Sequence, residues 1–233
     1  MTKRALLAQT RIEMVLTLRR GESLLATLVI PIGVLVFFNA VDVVETGFEH
    51  PLDFLVPGVL ALAVIATGFE RRYAVLKRLG TTPLSRVGLV AAKILAVVAV
   101  LVVQAAAVIG VGVALGWELT VRLVPAGALL LLGTVAFAGL GLLMAGTLRA
   151  ELTLALANGL YVGFLLLGGV AVPLSRLPAA LEAAAKFTPA AQLTEAVRAV
   201  VLGADVPGWA LGGLAAWAVL AQLAAAARFR WEE

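Results

Sequence analysis

The chain has 233 residues and a formal net charge of +4; 62% of its residues are hydrophobic, 14% are charged, and its mean hydropathy is +1.07. A single soluble core of this size cannot bury so much apolar surface, so the composition excludes an ordinary soluble domain and predicts an integral membrane protein. The absence of cysteine and the single histidine, His50, exclude disulfides, thiolate catalysis and a metal site built from cysteine or histidine ligands.

The first 22 residues mix basic and apolar side chains and precede the first long apolar run. They show no small-residue cleavage pattern, so we expect them to be retained. Their apolar residues are spread too widely around a helix to form a clean amphipathic face. Two interpretations stay open for residues 1–22: an interfacial helix whose arginines reach the lipid headgroups, or a cytoplasmic extension of the first span.

Six uncharged runs are candidate transmembrane helices, because about 20 mostly apolar residues cross a hydrocarbon core. The runs cover residues 23–41, 54–69, 94–117, 123–148, 152–175 and 206–227. The second run is the shortest, but Pro51 and Leu52 extend it at a position where proline is tolerated. The sequence therefore predicts an all-α integral membrane fold, with six spans that form one transmembrane domain over residues 1–233.

The lysine and arginine residues predict the orientation of these spans. With the N-terminus inside, 14 of the 18 basic residues fall in cytoplasmic segments, and only Arg122, Arg176, Lys186 and Arg198 fall outside. Because loops rich in lysine and arginine stay in the cytoplasm, we expect both termini to be cytoplasmic. Topology and anionic membrane lipids thus account for the positive charge, and we expect no nucleic acid partner.

The connection between the fifth and sixth spans, residues 176–205, is long, rich in alanine and interrupted by Pro178 and Pro189. This pattern predicts two short helices, at residues 178–187 and 190–202. We expect them to lie on the outer membrane surface or to re-enter the membrane, because their alanine and valine content suits partial burial.

The connection between the second and third spans, residues 70–88, is the most basic cytoplasmic loop and begins ERRYAVLKRLGTTPLSR. We call it the coupling segment. It combines apolar residues at helical spacing with a basic collar: Val75, Leu76 and Leu79 are the apolar set, and Arg72, Lys77 and Arg78 surround it. Gly80 then stops the helix. A docking helix accounts for both features, whereas a solvated loop that obeys the positive-inside rule accounts for the charge alone.

The coupling segment resembles the cytoplasmic segment of ABC-2 type membrane permeases, especially the bacterial drug-resistance exporter branch, in which a Leu-Lys-Arg-Leu run leads to Thr-Pro-Leu. The stretches FAGLGLLMAGTLRAELTLALANGLYVGFLLLGGVAVPLSRLP and FTPAAQLTEAVRAVVLG are similar to that family's fourth and fifth spans and outer helices. Together the resemblance covers roughly residues 54–203. The positions that carry it in the second block are Arg149, Asn158, Gly168, Gly169, Pro173, Leu174, Leu177, Pro178, Pro189 and Arg198.

The resemblance implies that the coupling segment contains a coupling helix that docks on a separate ABC ATPase subunit. The residues assigned to this docking surface are Glu70, Arg72, Val75, Leu76, Lys77, Arg78, Leu79, Thr82 and Pro83. The chain has no G-x-x-x-x-G-K-[ST] loop to hold phosphates, so ATP and Mg²⁺ are expected on the partner, and no bound cofactor, metal or catalytic residue is expected on this chain.

The resemblance also implies the activity and the assembly. It suggests the permease subunit of an exporter in a bacterial-type cytoplasmic membrane, which moves an amphipathic drug-like, lipid-like or glycolipid compound outward. A second permease copy, forming a homodimer, is expected to complete the translocation route. Four small residues would permit close helix approach between copies, although ordinary packing within one chain is the simpler explanation for any single glycine: Gly139, Gly141, Ala145 and Gly146.

Two amides within the apolar runs are candidates for the substrate path. Gln104 and Asn158 are costly in a membrane unless they are hydrogen-bonded, so each either lines a polar route or bonds to a neighbouring helix. Glu70, at the inner end of the second span, has two roles open as well: an ion pair with Arg149 that attaches the coupling segment to the bundle, or a solvated carboxylate at the membrane surface.

Two other function classes fit the sequence less well. An ion-coupled secondary transporter is the main alternative, but such proteins use carboxylates or histidines inside the membrane, and none of the 14 acidic residues lies centrally in a predicted span. An intramembrane enzyme is disfavoured because the chain lacks a G-x-S-x-G motif, has His50 outside the spans and has no acidic metal cluster.

Overall fold

The structure is a computed structural model that describes residues 25–41, 47–48, 50–70, 86–118 and 122–228. Within these ranges all regular structure is helical, as predicted from the composition. The α-helices are α1 (Ile30–Ala40), α2 (Pro51–Glu70), α3 (Arg86–Ala114), α4 (Leu123–Thr147), α5 (Ala150–Leu167), α6 (Ala179–Lys186), α7 (Pro189–Val201) and α8 (Gly208–Arg228). A π-helical turn, Leu25–Val29, precedes α1, and a 3-10 turn, Leu174–Arg176, precedes α6.

Four described helices are long and apolar enough to cross a membrane: Pro51–Phe69, Val97–Ala114, Val124–Thr147 and Gly208–Arg228. They correspond to the second, third, fourth and sixth predicted spans. The first and fifth predicted spans contain shorter apolar helices, Thr27–Ala40 and Glu151–Leu167. The chain is thus a multi-pass membrane protein, whereas the count of six spans and the orientation of the termini stay predictions.

Helix α2 is the centre of the bundle. All of its residues from Phe54 to Phe69 are buried, and it contacts α1, α3, α4, α5 and α7. Near its C-terminal end the rings of Phe69, Phe137 and Phe164 form a cluster with centroid separations of 5.8 to 6.4 Å. This cluster joins α2 to α4 and α5, so most of the apolar surface of α2 packs against protein and not against lipid.

Helix α4 packs closely on two neighbours because glycine occupies the contact positions. A Cβ on Gly139 would lie 2.9 Å from Ala221 Cβ of α8, and a Cβ on Gly141 would lie 2.9 Å from the Gly68 carbonyl oxygen of α2. Of the two explanations for these glycines, the structure supports packing within one chain. They are occupied by intramolecular contacts and do not offer a surface to a second copy.

The fifth predicted span, residues 152–175, is only partly helical. Helix α5 ends at Leu167, and Gly169 follows with φ of 73°, a backbone conformation that favours glycine. Residues 168–171 are buried, and Val170 lies so close to α2 that a Cβ on Gly58 would be 3.0 Å from Val170 Cα. The uncharged run could not reveal this break, because non-helical backbone is equally apolar when it is buried within the protein.

The two short helices predicted before the last span are present as α6 and α7. Thr188 caps α7, since its hydroxyl accepts a hydrogen bond from the Ala191 backbone N–H, and Pro189 occupies a first-turn position. Eleven of the 13 residues of α7 are buried, and the helix contacts α2, α4 and α8. Helix α7 therefore packs within the bundle, and its placement relative to the membrane surface stays a prediction.

Candidate functional site

Each end of α2 carries a polar junction with neighbouring elements. We call the end of the bundle at the first turn of α2 the Asp53 end, and the end at its last turn the Glu70 end. The coupling segment leaves α2 at the Glu70 end, so the predicted partner-docking surface and one of the two candidate path residues, Gln104, belong there.

Most of the predicted docking surface lies outside the described residues. This applies to Arg72, Val75, Leu76, Lys77, Arg78, Leu79, Thr82 and Pro83, and to the N-terminal segment 1–22. Glu70 is the last residue of α2, but its side chain is not among those described, so its proposed pairing with Arg149 stays a prediction. The structure does show that the segment connects two neighbouring helices, since α2 and α3 are in contact.

Gln104 of α3 is buried, with 3% of its surface exposed, and its amide is hydrogen-bonded on both sides. The Thr67 hydroxyl of α2 donates to Gln104 Oε1 at 2.9 Å, and Gln104 Nε2 donates to the Thr27 carbonyl oxygen at 3.1 Å. Thr67 Oγ1 also lies 3.0 Å from the Ala63 carbonyl oxygen. The side chain therefore makes the interhelical hydrogen bonds that were one of its two expected roles.

The acceptor of this bond lies in an irregular part of the first helix. Thr27 belongs to the π-helical turn Leu25–Val29, and the residue four positions later is Pro31. In an α-helix the residue at i+4 donates to the carbonyl of residue i, but proline has no N–H to donate. Gln104 from the neighbouring helix donates a hydrogen bond to that carbonyl at this irregular turn.

Asn158, the second candidate path residue, is in a different environment. Helix α5 packs on the bundle through Thr153 and Ala157, whereas Asn158 is exposed, beside the exposed Leu154 and Val162. The structure therefore does not bring Asn158 and Gln104 together: one is on an outward face of α5 and the other is enclosed between α1, α2 and α3. Their roles in a substrate path stay predictions.

The junction at the Asp53 end is centred on Arg198 of α7, which is only 5% exposed. Its Nη2 donates to the Gly169 carbonyl oxygen at 2.6 Å and to the Phe54 carbonyl oxygen at 3.4 Å. Its Nη1 pairs with the Glu195 carboxylate, and the guanidinium carbon lies 4.0 Å from the centroid of the Phe54 ring. One side chain thus joins α7, the first turn of α2 and the break after α5.

The charge of Arg198 is compensated locally. Burial lowers the pKa of Arg198, and the adjacent Glu195 carboxylate raises it again through its charge and hydrogen bond. Arginine nevertheless stays protonated in proteins, so the site contains a buried cation beside a partly exposed carboxylate. A Cβ on Gly169 would lie 3.3 Å from Glu195 Oε1, so glycine at this position both permits the positive φ and leaves room for the ion pair.

A second hydrogen bond connects two elements at the same end of the bundle. The Trp117 indole, which is 4% exposed, donates from Nε1 to Asp53 Oδ1 at 3.0 Å and so ties the residues after α3 to the first turn of α2. Sequence reasoning missed both this bond and the Arg198 junction: it counted Arg198 as an external charge and as a position of the family resemblance, without a structural role. The available signal was an arginine in a short helix rich in alanine and valine, with a glutamate three residues before it, a spacing that places both on one helix face.

Helix α7 enters the bundle and does not cross it. Leu193 occupies the space that a Cβ on Gly133 of α4 would need, and the Trp217 indole of α8 donates to the Phe187 carbonyl oxygen at 2.9 Å. Trp217 is the tenth residue of α8, about 14 Å along the axis from its first residue. The connection between α6 and α7 therefore lies next to the middle of a candidate span.

The family comparison covers both polar junctions. A family model described as ABC-2 type transporter matches residues 2–202, which include the coupling segment, Gln104 and Arg198. Among curated proteins there is no match to the chain.

Proposed function

Because this chain belongs to the ABC-2 type transporter family, we propose that it is the permease subunit of an ATP-driven exporter that moves an amphipathic drug-like, lipid-like or glycolipid compound out of the cell. The family match, which extends over residues 2–202, is the observation that carries this proposal. A separate ABC ATPase subunit would bind ATP and Mg²⁺, and a second permease copy would complete the translocation route.

The proposed site of action is a bacterial-type cytoplasmic membrane, with the Glu70 end inside and the Asp53 end outside. The distribution of lysine and arginine supports this orientation. In this orientation α7 enters the membrane from the external side, and the coupling segment faces the cytoplasm, where an ATPase can reach it. Among the described residues, Asp53 and Glu70 lie at the ends of α2 and not at its centre, which disfavours an ion-coupled mechanism.

In the proposed cycle, ATP binding closes the paired ATPases and the coupling segments move with them as rigid bodies. The contact between α2 and α3 supports this step, because a displacement of the segment acts on two helices that are already packed together. The interface between the permease copies would then open outward and release the cargo.

The proposal is tested by purifying the tagged chain from its native host, identifying the proteins that accompany it, and assaying the eluate for ATP hydrolysis. An ABC ATPase is expected in the wild-type eluate and should be lost with Leu76→Asp or Leu79→Asp, which place a carboxylate in the apolar docking surface. Leu76→Met is the matched control and should retain the partner. Normal ATP-driven transport by the Asp variants would reject the docking assignment, and transport driven by an ion gradient without an ATPase would reject the function.

A further inference from the structure

We propose that Gln104 is a positioning residue for transport: it links the first helix to α2 and α3, so that α1 moves together with the two helices that hold the coupling segment. The inference rests on the proposed function, because it assigns a role in energy coupling. It concerns Gln104 as an internal connection between helices and not as a contact for the cargo.

The first argument is the position of the acceptor. Gln104 Nε2 donates to the carbonyl oxygen of Thr27, which lies in the π-helical turn that leads directly into α1. This bond connects the start of the first helix to α3 through a buried side chain.

The second argument is the connection to the coupling segment. The other half of the Gln104 amide accepts from Thr67, which lies three residues before Glu70, where α2 ends and the segment begins. Gln104 itself is on α3, the helix that follows the segment. The amide is therefore attached to both helices that would move with an ATPase, and it transmits their displacement to α1.

The third argument excludes a direct role in cargo contact. The Gln104 side chain is 3% exposed, and both its Oε1 and its Nε2 already have partners within the protein. Thr67 and Thr27 are similarly buried, with 6% and 5% of their surface exposed. A side chain in this setting acts through the helices it joins.

The test uses the wild-type chain and two disrupting variants. Gln104→Met keeps a similar length and volume but removes both bonds, whereas Thr67→Val removes only the donor from α2 and is the milder change. Gln222→Met is the control, because Gln222 Nε2 also donates an interhelical bond, of 2.9 Å to the Val135 carbonyl oxygen, but this bond is exposed and joins α8 to α4. Each chain is studied alone in nanodiscs and, with its copurified ATPase, in proteoliposomes.

Two measurements are made. Amide hydrogen exchange in residues 28–36 of the isolated chain should accelerate by about 3- to 10-fold in Gln104→Met, the factor for losing one hydrogen bond in a membrane protein. Transport per ATP hydrolysed should fall about fivefold or more in the complex, within the usual range of coupling factors. Thr67→Val should lower the same ratio, and the double variant should be no worse than Gln104→Met alone, because both residues act in one connection.

The outcomes separate the inference from the proposed function. If wild type couples ATP hydrolysis to transport while Gln104→Met matches Gln222→Met in both measurements, the positioning role is wrong and the proposed function stands. Accelerated exchange without any change in transport per ATP would also overturn it, because Gln104 would then serve stability alone. If the wild-type complex shows no ATP-dependent transport, the proposed function fails, and the coupling role fails with it.

Discussion

Replacing Arg198 by methionine should destabilise the bundle at the Asp53 end, because its buried guanidinium donates to the Gly169 carbonyl and connects three elements. Methionine fills a similar volume but donates no hydrogen bond. The Gly169 carbonyl oxygen, now 2.6 Å from Nη2, would lose this donor inside the protein, and the Phe54 ring would lose the guanidinium above it. Glu195 would keep its charge without a partner, although it is partly exposed and reaches solvent.

The size of the effect follows from these losses. A buried carbonyl left without its donor costs about 1–3 kcal/mol, and a desolvated cation–π contact contributes about 2 kcal/mol. Burying the guanidinium carries a desolvation penalty that the methionine variant no longer pays, and this offsets part of the lost stabilisation. We therefore expect the free energy of unfolding to fall by about 3 kcal/mol, which is at the low end for a broken buried ion pair. For a chain of this length the loss corresponds to a fall of roughly 6–12 °C in melting temperature.

The assay is thermal unfolding of the purified chain in detergent, followed by size-exclusion chromatography of heated samples. Arg198→Lys should fall between wild type and Arg198→Met, because lysine keeps the charge but cannot reproduce the planar fork of donors. Arg122→Met is the control, since this arginine is exposed and such surface changes stay within about 0.5 kcal/mol. A melting temperature for Arg198→Met equal to that of Arg122→Met would refute the reasoning.

Three further changes test the packing by the same melting assay. Gly169→Ala should lower the free energy of unfolding by about 1–2 kcal/mol, because Gly169 has a positive φ. Gly163→Ala should raise it by about 0.5–1 kcal/mol, because Gly163 lies in α5 and nothing is within 4 Å of the added Cβ. Equal shifts in melting temperature for the two variants would contradict the backbone conformation assigned to Gly169. Trp117→Phe should cost about 1 kcal/mol through loss of the bond to Asp53, and an unchanged melting temperature would show that this bond does not support the fold. Gly139→Val should lower the free energy of unfolding by about 1–3 kcal/mol, because the added side chain would push α4 away from α8. An unchanged melting temperature would show that the two helices separate at little cost.

The helices themselves were largely predictable. Runs of apolar residues located the four long spans, and proline residues marked the two short helices α6 and α7 to within one residue at each end, because these signals act locally along the chain. The motif resemblance to ABC-2 permeases was confirmed by the family match over residues 2–202. The docking surface was also a sequence prediction, and it stays one, since nearly all of it lies outside the described residues.

The irregular parts of the helices could not be predicted in the same way. The apolar run 152–175 has uniform composition, yet its helix ends at Leu167 and a buried non-helical stretch continues toward Arg198. The turn before α1 is π-helical and contains the carbonyl that Gln104 reaches from another helix. Both depend on donors that are distant in sequence, 29 residues away for Arg198 and Gly169 and 77 for Gln104 and Thr27.

The sequence by itself determined that the protein is a helical membrane protein, because apolar content and helix length are properties of the chain alone, and its resemblance to ABC-2 type permeases indicated the family. Only the tertiary structure decided which polar side chains are buried and which groups they hydrogen-bond. Inside a membrane protein a backbone carbonyl released at a helix break must find a donor within the protein. Gln104 and Arg198 each donate to a backbone carbonyl at opposite ends of α2, and which helix supplies such a donor is fixed by packing and not by local sequence.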